Sequence, residues 1–358
     1  MLRQPWLRAY QTLSSEMLFF RSDSPRFDFL RTFLSLTSCV LHSSLFAVET
    51  LSLSKRYGKT DALRELNFTV DEGEIMVILG PNGSGKTTLL MTLCTILKPT
   101  SGTAKVMGID VVKDGTKVRE VMGIAFQEAR GFWRHKPSSI LKFHASMFDI
   151  DPVKRQNLIE QTMKELELWE SRDKLFMHLS GGQAKRLETA KVLVQRPKLA
   201  IFDEPTSQVD LRGKRKIWDK IRELRDQGST VIVATNEVRE AEYLADRVTI
   251  LHKGTLVVRD SIPKLKDAIA GGDVVEVGFE DPVADKLVED LKNLGGILTM
   301  SPEGNQLRAN VSKAEDWVPR MTSASYNMGA KISTIKITEP SLDDVFLHFT
   351  GKSLEENP

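Results

Sequence analysis

Two cysteines, Cys39 and Cys94, are all that 358 residues contain, so no disulfide framework can form and a reducing compartment is the natural setting. Charge of one sign is equally scarce: 50 Lys and Arg stand against 48 Asp and Glu, a formal net charge of +2. A chain that grips nucleic acid usually carries a marked basic excess, so no nucleic-acid partner is expected. Long apolar runs are missing too. A bilayer span takes roughly 20 predominantly apolar residues, and the nearest stretch, Phe29 to Val48, is interrupted by Arg31, His42 and several Ser and Thr. Any membrane process served by this chain needs another chain to do the spanning. Hydrophobic residues, at 41 %, suffice for a full domain core and a smaller second unit.

Residues 1–47 stand apart. They hold five Arg, no Lys, and the acids Glu16, Asp23 and Asp28, with no clear helical or strand period. The acids and the lack of a small-residue cleavage pattern weigh against a targeting segment. A misassigned start is the plainer expectation, because Val48 opens the first recognisable strand and a valine codon can begin translation. From 48 to 262 the pattern is α/β. Ile75–Leu79, Leu199–Phe202 and Val231–Ala234 are short continuous apolar runs, as parallel strands covered on both faces require. Ile217, Ile221 and Leu224 share one face of a helix that runs on from Asp210 and is closed by Gly228. Val248–Leu251 and Thr255–Val258, joined through Lys253-Gly254, read as a hairpin.

Residues 263–358 form an accessory unit and tail. Between Val274 and Thr338 the order is strand, helix, strand, strand, helix, strand, which fits a small α+β, ferredoxin-like arrangement and names no ligand. The final Glu355–Pro358 is polar, with a frayed end expected.

Three motifs carry chemistry. Gly80-Pro81-Asn82-Gly83-Ser84-Gly85-Lys86-Thr87 follows an apolar strand and precedes a helical pattern from Thr88 to Leu97, the context a phosphate loop requires. Glycines let backbone N–H groups point inward around phosphates, and the helix start adds positive potential. Lys86 can reach β- and γ-phosphates, and the Thr87 hydroxyl can coordinate Mg²⁺. Second, the buried run Leu199 to Phe202 ends in Asp203-Glu204. Adjacent carboxylates at a strand end are costly unless they meet a cation or substrate: Asp203 suits the water shell of Mg²⁺, and Glu204 suits polarising an attacking water. Third, Leu179-Ser180-Gly181-Gly182-Gln183 stands before a helix running to about Gln195, a second phosphate-binding device. One chain rarely needs two such devices for one nucleotide unless each completes a partner's site.

With these three in this order and spacing, residues 48 to about 352 resemble the ATP-binding-cassette family. The resemblance implies a P-loop NTPase cassette with a mostly parallel sheet and a helical subdomain. It also implies a head-to-tail dimer, of this chain or with a related cassette, around two MgATP. Each ATP is held by one copy's phosphate loop, from Gly80 to Thr88, and by the other's Ser180–Gln183. Tyr57 matches the family's aromatic on adenine, and Gln127 the glutamine that senses Mg²⁺ and the transmembrane partner. Asp210 matches the loop that crosses the dimer interface, although the family prefers Gly-Leu where this chain has Gln208-Val209. A larger departure is Asn236, which stands where the family places a histidine at the γ-phosphate and attacking water. Asn236 offers a neutral hydrogen bond but neither proton nor positive charge.

Pro340-Ser341-Leu342-Asp343-Asp344-Val345-Phe346-Leu347, followed by Thr350-Gly351-Lys352, is similar to the ending of ATPase subunits of drug, antibiotic and polysaccharide exporters. This resemblance implies an ATPase that energises export through a separate permease, located in the cytoplasm at the inner face of the cell membrane. Asn236 keeps a second reading open, an ATP-gated clamp that hydrolyses weakly or not at all. A cassette acting on chromosomes or ribosomes fits poorly, since Lys86 to Ser180 leaves no room for a long coiled coil. Arg130, Arg134, His135 and Lys136 read equally as a solvated basic loop or as a contact with a membrane partner or lipid headgroups, and Arg212, Lys214, Arg215 and Lys216 as the wet side of a helix.

Overall fold

The computed structural model describes residues 46–128, 133–148, 150–268, 272–338 and 340–350. Residues 1–45 with Cys39, Arg130 in the basic loop, and 351–358 at the C-terminus lie outside the described residues, and so do the expectations attached to them; the first strand opens at Phe46, two residues before the expected Val48, with Ala47 buried. The described chain opens on an antiparallel sheet. Strand β1 (Phe46–Tyr57) pairs with β2 (Thr60–Leu66), β3 (Thr69–Asp71) and β5 (Ser101–Val106), and β6 (Ile109–Asp110) continues from β5. Between them runs β4 (Ile75–Leu79), which belongs to a second sheet with β7 (Met122–Ala125), β8 (Leu199–Asp203), β9 (Thr230–Thr235), β10 (Arg247–His252) and β11 (Thr255–Asp260).

That second sheet has the order β11-β10-β4-β9-β8-β7, parallel throughout except for the β10–β11 hairpin. Its strands are continuous apolar runs because both faces are covered. Successive side chains of a strand point to opposite faces, and here each face meets its own core. Ile75, Val77, Leu79, Ala200, Phe202, Val231 and Val233 enter one cluster. Met76, Ile78, Leu199, Ile201, Ile232 and Ala234 enter the other, against the antiparallel sheet.

Helices α1 (Lys86–Leu93) and α2 (Gly115–Val121) supply the second cluster. α1 ends earlier than the apolar pattern predicted, with Cys94 as its cap and Thr95 in a left-handed conformation. The first cluster receives α3 (Pro137–Met147), α4 (Pro152–Glu165), α5 (Gly181–Gln195), α6 (Leu211–Asp226) and α7 (Val238–Leu244). Ile217, Ile221 and Leu224 of α6 are buried as the pattern required, and Gly228 follows its C-cap at a φ of 101°. Short helix α8 (Ile262–Asp267) adds Leu265.

A third core lies in the unit built from β12 (Asp273–Phe279), α9 (Asp285–Lys292), β13 (Ile297–Glu303), β14 (Gln306–Val311), α10 (Ala314–Asn327) and β15 (Ile332–Thr338). Its sheet has the order β13-β14-β12-β15 with every pairing antiparallel. Val275, Val277, Leu307, Trp317 and Met321 fill it. The chain then returns: α11 (Leu342–Thr350) packs against α7, α8 and β11, and Leu342, Val345 and Phe346 are buried in the first cluster. No helix among the described residues is long and apolar enough to cross a membrane.

Candidate nucleotide-binding and hydrolysis site

The phosphate loop leaves β4 at a point with no room for side chains. A Cβ on Gly80 would meet the Leu251 carbonyl oxygen at 2.3 Å, and one on Gly85 would meet that of Ala62 at 2.5 Å, with Gly85 at a φ of 110°. Glycine is thus required at both positions by backbone already in place. Gly85 opens α1, and Lys86 in its first turn is only 5 % exposed. Its Nζ donates to the carbonyls of Gly80 at 2.7 Å and Pro81 at 3.1 Å, across the loop. Burial lowers the Lys86 pKa, while the nearby carboxylates of Glu204 and Asp203 work against that shift.

Thr87 reaches from α1 to the end of β8, where its hydroxyl donates to Asp203 Oδ2 at 2.9 Å. Asp203 is 3 % exposed, and its other oxygen, Oδ1, is buried with no hydrogen-bond partner. Burial pushes this carboxyl above the usual carboxylate range, against the Thr87 hydrogen bond. A buried, partnerless carboxylate oxygen beside a hydroxyl is a donor set for a hard cation. Glu204 follows in a left-handed conformation at a φ of 47°. Its Oε2 accepts from Gln127 Nε2 at 2.9 Å, and its Oε1 lies 3.9 Å from Lys86 Nζ. Four segments therefore converge: the loop with α1, the end of β8, the residues after β7 and, through the Glu204 N–H on Ala234, strand β9.

Asn236 emerges from β9 beyond buried Thr235 and is exposed. Tyr57, at the end of β1, is 46 % exposed, with the Lys55 ammonium 5.3 Å from its ring centroid. The second loop stands at the start of α5. Ser180 Oγ accepts from the Gln183 N–H at 3.2 Å, and Gln183 Oε1 accepts from the Ser180 N–H at 3.1 Å, a reciprocal capping box. The Gln183 amide also donates to Ser171 Oγ at 3.0 Å, so this residue braces the loop. Gly181 and Gly182 lie against Gln208 and Val209. Asp210 caps α6 through the Gly213 N–H at 2.8 Å and receives Arg186 at 3.3 Å. Gln208 takes a φ of 63°, the region glycine favours, so the Gln-Val departure keeps a glycine-like backbone at a strain of about 1–2 kcal/mol.

Two buried groups near the site were not singled out by the sequence. Lys185 donates to the Glu204 carbonyl at 2.9 Å. Glu240 accepts from Thr206 Oγ1 and Trp218 Nε1, each at 2.8 Å, and burial pushes its pKa up. The signal available for both was a charged residue inside a helix with a buried face.

A glycine-walled loop with a buried lysine, facing a paired Asp-Glu strand end, defines a P-loop nucleoside triphosphatase. The family profile described as ABC transporter matches residues 63–207. A profile described as the osmosensitive K⁺ channel His kinase sensor domain matches residues 150–302, a segment without the phosphate loop. Daunorubicin resistance ATP-binding protein DrrA3 of Streptomyces coeruleorubidus is 30 % identical over 85 % of this chain and 96 % of its own length. Nod factor export ATP-binding protein I of Mesorhizobium japonicum is 28 % identical over 88 % of this chain and 89 % of its own. Among solved structures, a dimeric ATP-binding cassette in a post-hydrolysis state, bound to ADP and Pi, superposes with a TM-score of 0.56. It shares 25 % identity over 60 % of this chain and 98 % of that one. The chain belongs to the ATP-binding proteins of the ABC transporter family and is an ATP-binding, ATP-hydrolysing cassette.

Proposed function

We propose that this chain is the energy-coupling subunit of an exporter and works through a separate transmembrane permease. Two copies stand head to tail around two ATP molecules. The loop from Gly80 through Pro81, Asn82, Gly83, Ser84, Gly85, Lys86 and Thr87 to Thr88 of one copy cradles the phosphates. Ser180, Gly181 and Gly182 of the other approach the same nucleotide, with Gln183 bracing them and Asp210 crossing the interface. Tyr57 stacks on adenine.

Lys86 exchanges its loop carbonyls for β- and γ-phosphate oxygens. Glu204, oriented by Gln127, polarises the attacking water, and Asn236 donates a neutral hydrogen bond toward the γ-phosphate. Thr87 and the free oxygen of Asp203 are the groups that fit Mg²⁺, with Gln127 beside them. When bound, Mg²⁺ supplies neutralisation of the phosphate charge.

The observation that carries the hydrolytic reading is the grip on Glu204 by Gln127 and Lys86. A non-hydrolysing clamp, which Asn236 alone favours, leaves that grip without a use. Export is supported by the names of the relatives and by the Pro340–Leu347 ending. The permease docks near Gln127 and holds the chain at the inner face of the cell membrane.

Light scattering tests the sandwich. Glu204→Gln is expected to be a dimer with MgATP, and Glu204→Gln with Ser180→Arg a monomer under the same conditions. A dimer that forms equally well with Ser180→Arg contradicts the head-to-tail arrangement.

A further inference from the structure

We propose that Lys185 is a positioning residue for Glu204, tying the first turns of α5 to the acid of the chain's own hydrolysis site. The inference rests on the reading of Glu204 as the water-polarising acid.

Helix α5 buries Lys185, Leu187, Glu188, Thr189, Ala190, Val192 and Val194, so it meets protein around much of its circumference. A lysine in that setting is out of place unless its charge is used. Lys185 is 6 % exposed, and its Nζ donates to the main-chain carbonyl of Glu204 at 2.9 Å. Burial lowers the Lys185 pKa, and the charges of Glu204, Asp203, Glu188 and Glu240 oppose that shift.

The bond falls where Glu204 most needs support. At a φ of 47°, its backbone sits in a region that costs a non-glycine residue about 1–2 kcal/mol and persists only where the surroundings over-determine it. Three residues hold it through four hydrogen bonds. The Glu204 N–H donates to the Ala234 carbonyl at 2.8 Å, and the Glu204 carbonyl accepts from the Ser207 N–H at 3.3 Å and Oγ at 3.1 Å as well as from Lys185. This backbone sets the direction in which the carboxylate leaves the chain.

The next residue of α5 grips the other end of the same loop: Arg186 lies 3.3 Å from Asp210 and 3.1 Å from Glu167. Consecutive basic residues therefore hold both ends of the 204–210 segment from one helix. That helix is capped by Ser180, the residue assigned to a partner's nucleotide.

The test is a double-mutant cycle on the full chain, read as kcat and KM for MgATP. Lys185→Met is expected to lower kcat by roughly 10- to 100-fold, the scale of a misplaced reacting group, with KM changed less than twofold. Lys185→Arg, which keeps donor and charge, is expected to restore most of the loss. In the Glu204→Gln background Lys185→Met should cause no further loss, because the acid it positions is gone. Equal losses in both backgrounds, or an unchanged kcat, overturn the proposal. Full turnover by Glu204→Gln alone instead removes the reading on which it rests. If Lys185→Met is too unstable to purify, Lys185→Gln carries the same cycle: an intermediate loss absent from the Glu204→Gln background supports the proposal, and a loss present in both overturns it.

Discussion

Gln127 donates its side-chain amide to the Glu204 carboxylate across 2.9 Å, joining the residues after β7 to those after β8. Glu204 Oε1 faces Lys86 at 3.9 Å, so the carboxylate is held from two directions. The residue assigned to sense the permease thus touches the residue assigned to activate water.

If that contact orients the acid, removing it should slow chemistry and spare binding. Gln127→Ala is expected to lower kcat roughly tenfold, the scale of one hydrogen bond to a charged group, with KM for ATP little changed. Steady-state hydrolysis at several ATP concentrations checks it. A rise in KM at constant kcat would assign Gln127 to nucleotide binding alone.

Asp203 trades stability for function. Burial raises its pKa in the folded chain, so the folded state binds this proton more tightly than the unfolded state. The stability this supplies is complete below the unfolded value of about 3.9 and is lost as pH rises through the folded value. Above the folded value the ionised group weighs against folding. Asp203→Asn, which can still accept from Thr87, is expected to raise the urea midpoint of the nucleotide-free chain at pH 7. The gain should shrink toward pH 4, and hydrolysis should fall at least ~100-fold, the scale of losing a group that stabilises transition-state charge. A midpoint at or below wild type at pH 7 contradicts the assignment of a strained carboxylate.

The phosphate loop, the Asp203-Glu204 pair and the Ser180 loop were legible because each is a contiguous run whose residue types state its chemistry. The parallel strands were legible because both faces are buried, leaving uninterrupted apolar runs. The antiparallel sheet was not. β1 pairs Val48 with Val106 and Leu53 with Leu66, and nothing local marks those partners. Lys185 and Glu240 escaped for the same reason: Lys185 meets Glu204, and Glu240 meets Thr206 and Trp218, only after folding. Gln208 shows the converse, a departure from the family's pattern that the backbone absorbs by adopting the conformation glycine would take.

The C-terminal helix gives a test of packing. Phe346 is fully buried in the core formed by the main sheet and its helices, with its ring 5.9 Å from that of His252. Phe346→Ala is expected to destabilise the chain by about 3–5 kcal/mol. Tyr326→Ala, 83 % exposed at the end of α10, should stay within about 0.5 kcal/mol. Urea unfolding followed at Trp218, whose indole is buried in the same cluster as Phe346, checks both. An unchanged midpoint for Phe346→Ala contradicts the docking of α11.

Asn236 sets a distinct signature. With no titratable group at this position, wild-type turnover has no inflection from it. Asn236→His should raise kcat severalfold, and the ratio of variant to wild type should change across roughly pH 6–7, where an unperturbed histidine titrates. A ratio independent of pH, or a loss of activity, contradicts a role for this side chain at the γ-phosphate.

The most direct measurement is steady-state MgATP hydrolysis by the purified chain, beside Glu204→Gln and Lys86→Ala. A hydrolytic cassette should show measurable wild-type turnover, a loss of roughly 10²–10⁴-fold in Glu204→Gln, the scale of an acid–base group, and retained ATP binding in that variant. Wild-type turnover no greater than that of Lys86→Ala, or undiminished turnover in Glu204→Gln, would contradict it.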